Sequence, residues 1–172
     1  MLNYNEIDSF DDILHPIDFI EDMSRSYNWK CQRNNEDKAS IAFKGQYQSY
    51  DMVFVWDEEL ETLQLSCMTN ICFDDEAQNY IPTTLMSINA NLWLGHFIFR
   101  KDDNGNGQLV FRHTMSLRST SVQSGHDCLK SLIDTAIQEC DRFYPLFNLV
   151  QTKDVSNPAK LNLALSDCHG IS

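Results

Sequence analysis

A switch of hydrophobic period around Gly95 constrains this chain more than any other feature of it. Ile81, Leu85, Ile88 and Leu92 recur at spacings of four, three and four, so they share one face of a helix. Just beyond, Phe97 and Phe99 alternate with His96, Ile98 and Arg100, the period of a strand. The spacing predicts a helix ending near Trp93, with Gly95 as the left-handed residue that commonly closes a helix. After the turn-rich residues 102–107, Leu109, Phe111, His113, Met115 and Leu117 alternate with Val110, Arg112, Thr114, Ser116 and Arg118. The two strands form an antiparallel hairpin.

Hydrophobic pattern also sets the register of that hairpin. A two-residue Asn104-Gly105 turn would place His96 opposite His113 and Phe97 opposite Arg112, mixing apolar and charged side chains on both faces. An odd-numbered loop centred on Asn104 or Gly105 instead gathers Phe97, Phe99, Leu109, Phe111, His113 and Met115 on one face. It leaves His96, Arg100, Arg112 and Thr114 on the other.

Before this stretch, Pro16 opens a helix at the position where a missing N–H costs least, with Ile17, Ile20, Met23 and Tyr27 facing inward. Trp29, Cys31 and Arg33 alternate up to a turn at residues 34–37, and Ile41 and Phe43 follow. Residues 50–57 are the most apolar strand, with Met52, Phe54 and Trp56 on one face and Val53 and Val55 on the other, as in a central strand covered on both sides, so they belong in the middle of the sheet. Leu63, Leu65 and Cys67 alternate with Thr62, Gln64, Ser66 and Met68. Residues 119–125 read as a polar linker into the most apolar helix, whose stripe runs Leu129, Leu132, Ile133, Ala136, Ile137, Cys140, Phe143, Tyr144 and Phe147; Pro145 would kink it or end it near Tyr144. A last short helix spans residues 158–166. The order α-ββββ-α-ββ-α-α with tight links gives an α+β fold, an antiparallel sheet of about six strands with helices packed on it.

A chain of 172 residues with 42% hydrophobic and 11% aromatic content is expected to be a single domain over residues 1–172. Residues 1–14 read as a loosely ordered acidic N-terminus and residues 167–172 as a mobile tail. A formal charge of −12 opposes binding to nucleic acid or to an anionic membrane. No signal peptide or apolar span is visible, and Cys31, Cys67, Cys72, Cys128, Cys140 and Cys168 form no C-x-x-C, which points to reduced thiols in a cytoplasmic protein.

The chain resembles the YbjN family of bacterial sensory transduction regulators. The matching elements are Tyr27-Asn28-Trp29 after the first helix, Phe54-Val55-Trp56-Asp57-Glu58-Glu59, the block from Ile88 to Phe97, Phe111-Arg112-His113 with Leu117, and Cys140-Asp141-Arg142-Phe143-Tyr144-Pro145. The block around Trp93 to Phe97 is the most specific. Pro82 inside the middle helix and the loop of residues 102–107 depart from the pattern. The resemblance implies a fold like that of type III secretion chaperones, small acidic α+β proteins, often dimeric, that hold client polypeptides. It implies no catalytic residues.

Candidate sites weigh against plainer readings. Asp102, Asn104, Asn106 and Gly107 copy half of a calcium loop, but His113 stands where a bidentate Glu is needed, and Asn-Gly is a common hairpin turn. Cys128 beside His126 in the first turn of a helix would suit a small thiol enzyme or redox protein, although Cys128 also begins the apolar stripe and reads more simply as a packed core cysteine. His96 and His113 fall on opposite faces, and no metal or cofactor motif is present. The runs Asp57-Glu58-Glu59 and Asp74-Asp75-Glu76 sit at turns or helix starts. If helices cover one side of the sheet, the other carries Val53, Val55, His96, Arg100 and Arg112 as a protein-binding face, for a partner protein or a second copy of the chain, unless the first helix lies over it. The expected function is therefore a non-enzymatic regulatory or chaperone-like protein-binding module.

Overall fold

The computed structural model describes residues 15–75, 77–101, 105–118 and 120–152. The expectations for residues 1–14, 158–166 and 167–172, and for residues 102–104 of the hairpin loop, lie outside them. In chain order the elements are α1 (Pro16–Ser26), β1 (Cys31–Asn35), β2 (Lys38–Lys44), β3 (Ser49–Asp57), β4 (Thr62–Phe73), a 3-10 turn (Ala77–Tyr80), α2 (Ile81–Asn89), β5 (His96–Lys101), β6 (Gly107–Ser116) and α3 (Val122–Gln151). The strands form one antiparallel sheet in the order β1-β2-β3-β4-β6-β5, so β3 is central, as its apolar content predicts, with β4 beside it; β3 is covered by helices on its inner face only, and Val55 on the other is 37% exposed. This is the α+β architecture that the periodicities predict. Ile17 and Ile20 of α1, Ile81 and Ile88 of α2 and Leu129 and Phe143 of α3 join the inner-face residues Ile41, Phe54, Leu65 and Phe111 in one core. All three described helices thus lie on the same side of the sheet.

The β5–β6 hairpin has the odd-loop register, with His96 opposite Arg112, Phe97 opposite Phe111 and Phe99 opposite Leu109. Phe97 is buried edge-on against Phe111, Phe143 and Phe147, at centroid distances of 5.4, 5.8 and 5.0 Å. Its backbone faces away from β6, toward the open edge of the sheet. There the Asn89 carboxamide donates to the Phe97 carbonyl at 2.9 Å and accepts from the Phe97 N–H at 2.8 Å. One side chain does the work of a neighbouring strand and closes the edge at that point.

Local differences from the periodicity have physical causes. The middle helix begins at Ile81 rather than near residue 74, because Pro82 lacks an N–H and fits only the first turn; a 3-10 turn precedes it. It ends at Asn89 rather than Trp93, since Asn89 turns its side chain to β5. Gly95 is left-handed (φ 69°), but it serves the entry to β5, where a Cβ would stand 2.3 Å from the Phe111 ring. Tyr27, expected inside, is 40% exposed because α1 stops at Ser26 and the ring stacks on Trp29 and His126. Strand β4 continues past Met68 to Phe73 through a register shift, bridged by Thr69 Oγ1 donating to the Leu109 carbonyl at 2.9 Å and Gln108 Nε2 donating to the Thr69 carbonyl at 2.9 Å.

The long helix α3 starts at Val122, with Ser121 as its cap, inside the stretch that reads as a linker. It also runs through Pro145. A proline in a helix interior costs about 3 kcal/mol, while each large apolar side chain buried returns about 1.5–3 kcal/mol, so Leu146, Phe147 and Val150, all buried beyond the proline, offset it. One turn earlier, Asp141 accepts from the Tyr50 hydroxyl at 2.7 Å and from the Gln46 N–H at 2.8 Å, fastening the β2–β3 loop to the helix. Burial first, and the carboxylate of Asp141 second, raise the Tyr50 hydroxyl far above the ordinary tyrosine range.

Replacing Asn89 by Ala removes both clamp bonds and leaves two backbone groups of Phe97 unpaired, an expected loss of about 2 kcal/mol. For a chain of this size that lowers Tm by roughly 4–8 °C, measured by calorimetry. An unchanged Tm would show that the clamp contributes nothing.

Candidate functional site

The described helices leave one face of the sheet uncovered among the described residues, and strand register decides what it presents. One row across the strands reads Ser40, Val53, Ser66, Arg112, His96. The next reads Ala42, Asp51, Met68, Val110, Ile98, and on the other side Lys38, Val55, Gln64, Thr114. Val53, Val55, His96, Arg100 and Arg112 therefore do share a face, with Val53, Arg112 and His96 in one row. Val53 and Arg112 are half-buried, Val55 is 37% exposed, and His96 and Arg100 are exposed.

The floor of this face holds residues that alternation alone does not single out. Val110 is 1% exposed although it faces away from the core. Arg100 on β5 reaches across β6 to Met68 on β4, where its Nη2 lies 3.1 Å from Sδ and 3.3 Å from Gln108 Oε1, so the arginine stem covers the strand between. The Arg112 Nε is buried and makes no hydrogen bond among the described residues. A shallow groove of about 520 Å³ crosses the β1–β4 half of the face between Lys30, Lys38, Ser40, Asp51, Val53 and Met68. Beside β5, Trp93 is 99% exposed, with Met86 at 75% and Leu94 at 45%. The sequence places Trp93 at a helix end and gives no sign that its ring stands in solvent.

The thiol alternative does not come together in the same way. Since α3 begins at Val122, Cys128 lies in its second turn, beyond the first turn where the helix dipole acts on a thiol. The His126 ring meets Asp127 at 3.3 Å, stacks on Tyr27 and edges against Phe19; none of these contacts is with Cys128, which is exposed rather than packed in the core, since the buried stripe passes through Gly125 and Leu129 instead. Another pair of cysteines is structural: Cys140 donates to Cys67 at 3.6 Å in the core, and that bond and burial hold Cys140 well above the usual thiol range. His96 and His113 lie on opposite faces, and burial pushes His113 below the ordinary histidine value, with His96 a lesser cause. Asp57 accepts from the Leu60 N–H at 3.0 Å and Asp74 from the Ala77 N–H at 2.9 Å, the turn and helix-start roles expected of the two acidic runs. No cluster of three or more metal-ligating side chains occurs among the described residues, and no helix there is long and apolar enough to cross a membrane.

Under native conditions iodoacetamide is expected to label Cys72 and Cys128 and to spare Cys67 and Cys140, with all four labelled in denaturant, as read by peptide mass spectrometry. Native labelling of Cys140 as fast as Cys128 would contradict this placement.

The family model for YbjN, described as "putative bacterial sensory transduction regulator", matches residues 16–149. Among solved structures, the chain is similar to the crystal structure of YbjN from E. coli, described there as "a putative transcription regulator". The TM-score is 0.60 at 10% identity, covering 77% of this chain and 94% of that one. At that identity the likeness shows fold alone. No curated protein is a significant match to the chain.

Proposed function

The chain belongs to the YbjN family, and from that premise we propose that it is a non-enzymatic regulatory or chaperone-like module of the bacterial cytoplasm that holds a polypeptide partner against its uncovered sheet face. One observation carries this reading: a six-stranded sheet with all its described helices on one side leaves Val53, Val55 and Ile98 accessible on the other. Five strand spacings of about 4.8 Å and about seven residues of strand make a rectangle of roughly 24 by 24 Å. That is on the order of 600 Å², close to the ~800 Å² that each partner contributes to a standard interface. On this reading Val53 and Val55 supply apolar contact, while His96, Arg100 and Arg112 orient the bound chain.

Affinity capture of the tagged protein from bacterial lysate, followed by native mass spectrometry, tests it. The wild type is expected to retain a polypeptide in fixed stoichiometry, and Val53→Glu, verified by an unchanged Tm, is expected to lose it. Equal retention by both would place binding elsewhere on the molecule, and a constant homodimer mass in both would replace the partner with a second copy.

A further inference from the structure

The uncovered face carries charge opposite in sign to the molecule as a whole. Lys30, Lys38, Lys44, Arg100 and Arg112 stand on it, against Asp51 and Asp57. Asp57 is at the rim and is engaged by the β3–β4 turn. The chain as a whole has a formal charge of −12. The ion-paired cations lie elsewhere: Arg25 pairs with Asp22, Arg33 with Asp18 and Glu21, Arg118 with Glu61, Lys130 with Asp134 and Arg142 with Glu139. On the uncovered face no Lys or Arg meets a carboxylate among the described residues. Arg100 leans on a thioether and an amide, and the Arg112 Nε is buried without an acceptor.

We infer that the partner held on this face is an acidic polypeptide segment, one whose carboxylates meet these cations while its apolar side chains rest on Val53, Met68 and Ile98. The inference rests on the binding-module reading and names the chemistry of its partner. Bidentate pairing to a carboxylate suits Arg100 and Arg112, and a free guanidinium over an apolar floor gains more from an incoming carboxylate than one already paired. Two alternatives fit less well. Face-to-face docking of a second copy would set the same cations against one another, since a two-fold interface opposes like surfaces. A nucleic acid strand on a sheet relies on exposed aromatic rings for stacking, and the strand residues of this face are Val, Met, Ile, Ala and polar side chains.

Fluorescence anisotropy of the full chain with three labelled probes tests this: a synthetic peptide alternating Glu with Val and Leu, one of equal length alternating Lys with Val and Leu, and a single-stranded DNA oligonucleotide. The Glu peptide is expected to bind, and to weaken as NaCl rises from about 0.05 to about 0.5 M. The Lys peptide and the DNA are not. Arg100→Glu with Arg112→Glu should weaken the Glu peptide by about tenfold or more and let the Lys peptide bind, while Lys130→Glu on α3 should change neither. Equal affinity for both peptides, lost only in Val53→Glu, would overturn the acidic partner and leave the binding-module reading standing. Preference for DNA, self-association abolished by the arginine substitutions, or no binding of either peptide by a protein that still captures its polypeptide from lysate would each overturn the inference as well. Loss of all peptide binding together with all capture would remove both readings.

Discussion

The packing of Phe97 is the contact on which the rest of this structure depends. Its ring lies edge-on to Phe111 on the neighbouring strand and to Phe143 and Phe147 on the long helix, and its backbone is held by Asn89 at the end of the middle helix. Sheet, crossing helix and edge are fixed by one residue. Gly95 must precede it, because the chain enters β5 through a left-handed turn pressed against the Phe111 ring, where no side chain fits.

A second fastening acts at a distance from the first. Asp141 ties the β2–β3 loop to α3 through Tyr50 and Gln46, so the long helix is pinned near its Pro145 as well as along its apolar stripe. At about 1.5 Å per residue, thirty residues of helix extend roughly 45 Å, enough to cross the sheet and commit one whole face to the core. The opposite face follows from that commitment. Once the apolar residues have been drawn to one side by the alternation of each strand, what remains outward is Lys, Arg, Ser and Gln over a thin floor of Val, Met and Ile.

Many of the residues through which the chain resembles its family turn out to be fastenings of this kind. Asn89, Gly95, Phe97 and Phe111 build the junction, and Asp141 and Phe143 anchor the helix to the sheet. Trp93, in the middle of the most specific block, is different: its ring is almost wholly in solvent and packs on nothing in the core. A motif identifies how the fold is held; the surface that meets a partner is assembled from residues with weaker signatures.

The sequence by itself determined the α+β class, the order of the described elements from α1 to α3, the central place of the 50–57 strand and the register of the β5–β6 hairpin. Each of these follows from apolar spacing within a few turns or strand lengths, so local sequence contains it. It also grouped Val53, Val55, His96, Arg100 and Arg112 on one face, since alternation fixes facing once the strands are known. Only the tertiary structure decided where helices stop. The middle helix is cut short by a side chain reaching to β5, Tyr27 is drawn outward by Trp29 and His126, and α3 continues through Pro145 because the residues beyond it are buried. Tertiary structure also separated the charges. Lys38, Arg100 and Arg112 are far apart in the chain and are brought onto one face through cross-strand pairing, while the carboxylates that neutralise other cations come from helices and turns off that face. Such pairings join distant residues, and no spacing within a single segment contains them.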